Sequence, residues 1–159
     1  MLSRFIRACL FTAAATLCSV APATDLPLTG DVAQAQAVWR TFEKWIGAYD
    51  AGDLDGVMAI FDPDVQFAFQ GAPDQRFADL RAGYVADFKS RAPGVSWVPA
   101  VQEIHAEGRI AFVRSIWELH AVKDGKPQVI ARNRSIDVLH IVGNGRWVIF
   151  RSMNYPEKS

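Results

Sequence analysis

The spacing of apolar residues changes once along the chain and divides it into a helical part and a strand part. Before Pro93, apolar residues recur every three or four positions, which predicts amphipathic helices. The helical stripes are Val38, Phe42, Trp45, Ile46 and Tyr49 for a helix over 32–51, Leu54, Val57, Met58 and Phe61 for a short second helix, and Phe77, Leu80, Tyr84 and Phe88 for a third. From Val95 onward the period is two, which predicts strands. We therefore predict an α+β domain with helices on one face of an antiparallel sheet.

Turn-forming residues mark the ends of these elements. Gly52 is suited to end the first helix and Asp53 to begin the second, because glycine adopts the left-handed backbone and aspartate caps free amides. Alternation over 65–69 predicts a short strand before the third helix. The later strands are predicted over 95–107, 110–122, 128–141 and 146–154, with turns at Gly108, Asp124-Gly125 and Asn144-Gly145. Asn-Gly between alternating apolar segments predicts a tight hairpin.

The last hairpin carries one acidic residue, Asp137, inside an apolar run. Because side chains alternate along a strand, Asp137 shares a face with Ser135 and Leu139. In the predicted register, one face of the final strand holds Val148, Phe150, Ser152 and Asn154, and the other holds Trp147, Ile149, Arg151 and Met153. A carboxyl group there has a raised pKa and suits an acid, or it pairs with Arg114 and stays ionised.

The other face of the predicted sheet is apolar as well. Ile136 and Val138 share it with Trp147 and Ile149, and the same register adds Trp117. Tryptophans exposed among aliphatic residues form a larger apolar patch than a monomer usually carries. We therefore expect a homodimer through this outer face. The alternative is that the C-terminal tail covers this face, or that the strands pair in a different register.

Residues 1–23 are typical of a cleaved secretory signal peptide. Arg4 and Arg7 precede an apolar run over 8–20, and Ala21-Pro22-Ala23 offers small residues for cleavage at Ala21 or Ala23. The run is shorter than the ~20 residues of a membrane span, so an uncleaved anchor is the less favoured alternative. The prediction is a periplasmic or secreted protein without membrane attachment after cleavage.

After the leader we expect a tether over 24–31 and one domain over 32–156. The composition of this remaining chain excludes several classes of function. Both cysteines, Cys9 and Cys18, lie in the leader, so the mature chain has no thiol for a disulfide, a metal or a nucleophile. The full chain has 17 basic and 17 acidic residues, so the mature chain is slightly acidic once the leader's two arginines are removed. This charge argues against nucleic acid and anionic membranes as partners.

The three histidines are the obvious candidates for a metal site. His105, His120 and His140 fall on three different strands, and only His120 has an acid, Glu118, two residues away. A metal site needs ligands that converge on one face. The sequence also has no nucleophile elbow, phosphate-binding glycine loop or dinucleotide fingerprint. We therefore predict no metal and no cofactor.

Two runs of sequence, WIGAYDAGDLDGVMAIFDPDVQF and GNGRWVIFRS, resemble the nuclear transport factor 2-like superfamily. Within it, the chain resembles the SnoaL-like, ketosteroid-isomerase-related branch over about 32–154. The resemblance implies a cone: a curved antiparallel sheet wrapped over three helices, with a pocket in its mouth. Members include isomerases, cyclases, epoxide hydrolases, dehydratases and proteins without catalysis, so the fold does not select a function.

The resemblance also implies roles for individual residues. Asp137 falls on the protonated acid of the isomerase, and Tyr84 falls near a tyrosine of the same hydrogen-bond network. Trp45 stands where the isomerase has the tyrosine that donates to the oxyanion, and Phe69 stands where it has the general base. Phe69 cannot transfer a proton, so the proton shuttle of that enzyme is disfavoured here.

The predicted site places Asp137, as the acid, in a pocket with Trp45, Phe69, Tyr84, Arg114, Glu118, Phe150, Ser152 and Asn154. Arg114 and Glu118 are placed there by the resemblance. Amphipathicity alone favours the opposite face of their strand, which carries Val113, Ser115, Trp117 and Leu119.

Two functions fit the sequence. In the first, an exported domain performs acid–base chemistry, of isomerase, cyclase or lyase type, on a small apolar compound with Asp137. In the alternative, the domain binds a ligand or dimerises without turnover. Phe69 and Trp45, at positions of catalytic groups, favour the alternative.

Overall fold

Three helices and six strands are formed by residues 26–157, the part of the chain that this computed structural model describes. They are β1 (Leu28–Gly30), α1 (Val32–Ala51), α2 (Leu54–Met58), β2 (Phe61–Phe69), α3 (Phe77–Ser90), β3 (Ser96–Glu107), β4 (Ile110–Lys123), β5 (Lys126–Ile141) and β6 (Trp147–Pro156). The predicted α+β class is confirmed, and the four long strands lie within two residues of their predicted bounds. The predicted leader lies outside the described residues.

The strands form one sheet in the order β1-β3-β4-β5-β6-β2. Antiparallel pairing joins β3 through β6 as a meander, while β1 runs parallel to β3 and β2 runs parallel to β6 at the two edges. Part of the segment predicted as a tether is therefore a strand, in which Leu28 lies opposite Ile104. None of the helices among the described residues is long and apolar enough to cross a membrane.

The helix caps predicted from the sequence are present. A further cap, not predicted, is Asp31, which begins α1 by accepting a hydrogen bond from the Gln34 amide at 3.1 Å. Gly52 ends α1 with φ 71°, a left-handed conformation that favours glycine. Asp53 then begins α2 by accepting from the Gly56 amide at 3.0 Å.

The segment after α2 differs from its prediction. Helix α2 ends at Met58, and Phe61, which was predicted to lie in that helix, instead begins β2. Pro63 is tolerated in β2 because this is an edge strand, and because its pairing with β6 is interrupted between Phe61 and Gln66.

The last two of the three hairpin turns have different geometries. Asp124 and Gly125 have φ of 51° and 72°, as expected for a two-residue hairpin turn. At the last hairpin only Gly145 has positive φ, and residues 142–146 form a longer loop. The predicted turn at Asn144-Gly145 is present, because the Gly145 amide donates to the Val142 carbonyl at 2.9 Å, but its loop is longer than two residues.

A β-bulge in β6 changes which side chains face inward. Val138 of β5 lies opposite Arg151, while the next residue, Leu139, lies opposite Ile149. The final strand thus contains one extra residue, Phe150, at this point. Because side chains alternate, one extra residue exchanges the two faces of the strand on either side of it.

The bulge corrects the predicted faces. Trp147 and Ile149 are buried in the core rather than on the outer face. Trp117 also faces inward, and its ring centroid lies 5.4 Å from that of Trp45. Three of the residues on which the homodimer prediction was based, Trp117, Trp147 and Ile149, are therefore inner-face residues. The outer face instead exposes Ile136 and Met153, at 43% and 58% of their surfaces.

Candidate functional site

A cavity of about 300 Å³ lies between the inner face of the sheet and helices α1 and α3. Its apolar lining consists of Phe42, Trp45, Ile60, Phe61, Phe67, Phe69, Leu80, Trp97, Trp117, Leu119 and Ile149. Its polar side chains are Tyr49, Gln75, Tyr84, Asp87, Asn133, Asp137 and Asn154. The lining is predominantly aromatic and aliphatic, with a few polar groups, which is the usual composition of a small-molecule site.

Asp137 forms part of the cavity wall on β5 and is only 3% exposed. Both carboxyl oxygens accept hydrogen bonds from hydroxyl groups of the sheet. Ser135 donates to Oδ2 at 3.0 Å, and Ser152 donates to Oδ1 at 2.6 Å. Its hydrogen-bond partners are thus neutral side chains.

Burial raises the pKa of Asp137 to about 6, and the hydrogen bonds from Ser152 and Ser135 oppose this shift. Among the described residues, no lysine, arginine or histidine lines the cavity. No cation there compensates the carboxylate, so desolvation dominates. A carboxyl group with a pKa near 6 can give or take a proton close to neutral pH.

Trp45 supplies an unpaired donor at the same cavity. The side chain is 9% exposed, and its indole Nε1 is buried with no hydrogen-bond partner among residues 26–157. The Tyr84 ring lies nearby, with centroids 6.3 Å apart, and its hydroxyl is close enough to interact with the indole N–H, but no hydrogen bond of normal geometry joins them. Leaving a buried donor unpaired is costly, so a ligand with an acceptor oxygen would stabilise this side of the cavity.

Two tyrosines add further hydroxyl groups. Burial raises the pKa of Tyr84, and the indole of Trp45 opposes this shift, while the Asp137 carboxyl adds to it. Burial also raises the pKa of Tyr49, whose hydroxyl donates to Asp87 Oδ2 at 2.8 Å. Both tyrosines are therefore neutral near pH 7 and serve as donors, and the Asp87 carboxylate is already occupied.

The structure brings together five of the predicted site residues around the cavity: Trp45, Phe69, Tyr84, Asp137 and Asn154. Ser152 lies behind them, where its hydroxyl donates to Asp137 rather than toward the cavity.

Arg114 and Glu118 do not belong to this site. They alternate with the inward residues Val113 and Trp117 on β4 and so lie on the outer face. The Arg114 guanidinium lies 3.6 Å from the Glu103 carboxylate. The prediction that Arg114 and Glu118 line the pocket is wrong, and so is an ion pair between Arg114 and Asp137. Amphipathicity gave the correct face of β4.

Phe150 is also outside the cavity, because it is the extra residue of the bulge. Its ring stacks on His140 with centroids 4.7 Å apart, and the Arg151 guanidinium lies 5.1 Å from its centroid. The prediction that Phe150 lines the pocket is therefore wrong.

The histidines are separated in space. His105 lies 3.0 Å from the Thr29 hydroxyl, and His120 lies 3.0 Å from Glu118. His140 lies 2.7 Å from Asp62. Within 26–157, no group of three or more histidine, cysteine, aspartate or glutamate side chains is arranged to hold a metal ion.

Sequence reasoning missed several polar residues of the cavity. Asn133 precedes Ser135 by two residues on the face of Asp137, so alternation along β5 was enough to find it. Asp87 lies three residues after Tyr84, on the same side of α3. Both signals were present in the sequence.

A family model for the SnoaL-like domain matches residues 42–150, more than half of the chain. The chain belongs to the SnoaL-like domain family. The match spans α1 through the bulge of β6 and includes Asp137. The predicted resemblance is therefore confirmed.

Solved structures share the fold of this SnoaL-like domain at low sequence identity. A ketosteroid isomerase-like protein from Erwinia carotovora atroseptica SCRI1043 is 18% identical, with a TM-score of 0.61 over 79% of this chain and 98% of that one. An NTF-2 like protein of unknown function from Shewanella oneidensis MR-1 is 17% identical, with a TM-score of 0.64 over 77% and 98%. A protein of unknown function with a cystatin-like fold from Nostoc punctiforme PCC 73102 is 16% identical, with a TM-score of 0.66 over 84% and 97%. These similarities show the fold alone, and no curated protein matches the sequence.

Proposed function

We propose that this SnoaL-like domain binds a small, mainly apolar compound and performs acid–base chemistry of isomerase, cyclase or lyase type on it, with Asp137 as the acid. The observation that carries the proposal is a buried carboxyl group, with a pKa near 6 and no cationic partner in the cavity, in the wall of an aromatic cavity. Acids tuned toward neutral pH by burial are typical of sites where protons are transferred.

The cavity also restricts the chemistry of the ligand. Its volume of about 300 Å³ is at the small end of ligand sites and fits a compact molecule. Since no described cationic side chain lines it, an anionic ligand would be left uncompensated beside Asp137. The unpaired indole N–H of Trp45 calls for an acceptor atom. We infer a neutral, largely apolar compound that carries a carbonyl, ether or hydroxyl oxygen.

The chemistry begins with protonation. Neutral Asp137 gives its proton to the ligand, and its carboxylate is then stabilised by the hydroxyls of Ser135 and Ser152. Loss of a proton from the rearranged or cleaved ligand returns Asp137 to the neutral form, which balances the cycle. Phe69 cannot act as a base, and the second carboxyl group at the cavity is Asp87, one oxygen of which accepts from the Tyr49 hydroxyl. Cyclisation or elimination that begins with protonation by Asp137 needs no second residue to transfer the proton.

A thermal-shift screen tests binding. The mature protein is heated with small steroid, terpenoid and aromatic compounds with and without a ketone group, since a ligand of the folded state raises the apparent melting temperature. We expect ketones to stabilise the wild type, and Trp45→Phe to reduce that shift. Trp39→Phe, on the same helix but away from the cavity lining, is the control and should keep it. Equal shifts in both variants would remove Trp45 from ligand binding.

Turnover is tested separately, with the compounds that bind. Each is incubated with the protein in deuterated buffer and analysed by mass spectrometry for conversion or deuterium uptake. We expect wild-type protein to react and Asp137→Asn to bind without reacting. Binding with no conversion in the wild type would instead support the alternative, a non-catalytic ligand-binding domain, which Phe69 at the position of a catalytic base favours.

We also propose that two copies associate through the outer sheet face, centred on Ile136 and Met153 instead of the tryptophans. Ile136 and Met153 lie opposite each other on β5 and β6 and are largely exposed. The neighbouring Arg114 pairs with Glu103 within one chain, and the Arg151 guanidinium donates to the backbone carbonyls of Asp64 and Phe150. Light scattering should give a dimer at micromolar concentration for wild type and a monomer for Ile136→Glu. A monomeric wild type would rule the dimer out.

Export is proposed from the leader alone. The apolar run over 8–20 after Arg4 and Arg7 supports a signal peptide over 1–23. Mass spectrometry of the protein from periplasmic and culture fractions should show cleavage after Ala21 or Ala23. Full-length protein confined to the cell interior would contradict it.

A further inference from the structure

Three buried serines from three adjacent strands form a hydrogen-bond chain around Asp137. Ser115 of β4 lies opposite Ser135 of β5, and their hydroxyl oxygens are 2.8 Å apart. Ser152 of β6 lies opposite Asp137 and donates to its other oxygen. Ser115 and Ser135 are each 1% exposed, and Ser152 is 6% exposed.

The number of hydroxyl protons sets the direction of this hydrogen-bond chain. Each hydroxyl group has one proton to donate. Ser135 gives its proton to Asp137, so it accepts from Ser115 and the donors run from β4 toward the acid. A carboxyl group has about four acceptor positions, and the serines use one on each oxygen from the side of the sheet. The remaining positions have no hydrogen-bond partner among the described residues, and Asp137 lines the cavity.

We propose that Ser115, Ser135 and Ser152 are positioning residues, which hold both oxygens of Asp137 from the sheet and direct its own proton into the cavity. A proton directed at Ser135 would force two buried serines to turn their protons toward other acceptors. Among the described residues, none of these three hydroxyls hydrogen-bonds to a backbone carbonyl, so this alternative would leave a buried hydroxyl proton without its present partner. The proposal deepens the proposed function, because the cavity-facing proton is the one a ligand would receive.

Among the described residues, the other titratable and charged side chains near Asp137 do not hydrogen-bond to its carboxyl group, so the serines alone can position it. The titratable side chains that share the cavity with Asp137 are Tyr49 of α1 together with Tyr84 and Asp87 of α3. Asp87 is occupied by the Tyr49 hydroxyl, and both tyrosines are neutral near pH 7. On the strands beside Asp137, Arg114 and Arg151 lie on the outer face.

Carbon NMR of the Asp137 carboxyl group tests the proposal in the ligand-free mature protein, titrated between about pH 4 and pH 9. Removing a donor to a carboxylate raises its pKa, so Ser135→Ala and Ser152→Ala should each raise that of Asp137 by roughly one unit. Ser115→Ala should raise it by less, because it acts through Ser135. Ser115→Thr keeps the hydroxyl and should restore the wild-type value. Ser90→Ala, on the exposed end of α3, is the control.

A purely structural role predicts a different pattern. In that case Ser115→Ala lowers the melting temperature but leaves the pKa of Asp137 unchanged, which would overturn the proposal. If Ser135→Ala does not fold, Ser152→Ala and Ser115→Ala still decide the matter. Because no ligand is used, a failed ligand screen leaves this result intact, and an unchanged pKa leaves ligand binding intact.

Discussion

Asp137 and Glu118 lie on neighbouring strands of one sheet but on opposite faces. Asp137 is buried among neutral hydroxyls, and its pKa is raised to about 6. Glu118 faces outward, where hydrogen bonds from His120 and Arg132 hold its pKa below its usual range. Glu118 on the outer face therefore has cationic partners, whereas Asp137 on the inner face has none among the described residues. Under the proposed function, a ligand would be the partner of the inner acid.

The difference follows from the residues that alternation assigns to each face. Outward positions of β4 and β5 place Glu118 beside Arg132, and its own strand adds His120 two residues on. The inward positions beside Asp137 hold Ser135 and Ser152, which donate hydrogen bonds but carry no charge. Serine hydroxyls reduce the cost of burying a carboxylate without removing it.

The largest expected effect tests the bulge that sets the two faces. Ile149→Ala should lower the free energy of unfolding by about 2–5 kcal/mol, because Ile149 is 3% exposed and its loss leaves a cavity in the core. Arg151→Ala, on the exposed outer side of the same strand, should change it by about 1 kcal/mol or less. Chemical denaturation measures both. Comparable losses would mean that the faces of β6 are assigned wrongly.

The second effect is a pH-dependent gain in stability when Asp137 is replaced by asparagine. The folded state binds the Asp137 proton more tightly than the unfolded state does, so it loses stability as pH rises from about 4 to about 6. At pH values above that range, the difference between a pKa of about 6 and the usual 3.8 corresponds to a loss of about 3 kcal/mol in the free energy of unfolding. Asparagine carries no charge, so Asp137→Asn should be more stable than wild type at pH 8 by up to about that amount.

The same comparison at low pH supplies the control. At about pH 4 the gain of Asp137→Asn should disappear, because wild-type Asp137 is then neutral as well. Glu118→Gln should show no gain at pH 8, since it removes a carboxylate that His120 and Arg132 stabilise. The stability difference between Asp137→Asn and wild type is the quantity to compare. If it is the same at pH 8 as at pH 4, burial of the carboxylate carries no free-energy penalty.

The smallest effect concerns Arg114. Its partner is Glu103 on the exposed face, so Arg114→Ala should change the free energy of unfolding by about 1 kcal/mol or less. It should also leave the pKa of Asp137 at the wild-type value. A clear rise of that pKa in Arg114→Ala would place a charge contact across the sheet that the geometry does not contain.

The sequence predicted the inner face of β5 but not that of β6, for one physical reason. Period-two alternation is reliable only while pairing is regular, and it placed Asp137 on the face of Ser135 and Leu139 correctly. The extra residue at Phe150 leaves no trace in the apolar pattern, because Trp147, Val148 and Ile149 are all buried. Faces beyond a bulge therefore required the structure.

The candidate site shows the same division. Asp137, Trp45 and Tyr84 were identified as site residues from the sequence and the family resemblance. The resemblance misplaced Arg114, whereas the apolar pattern of β4 assigned the face correctly. The serine chain required the cross-strand register, since Ser115 and Ser135 become neighbours only when β4 and β5 are paired.

The pKa of Asp137 in the wild-type, ligand-free protein tests the central claim most directly. Carbon NMR of its carboxyl group should show a single titration with a pKa of about 6, because burial without a cation disfavours the charged form. A value at or below the usual 3.8 would contradict the account. It would mean that the inner acid is as well compensated as Glu118 on the outer face.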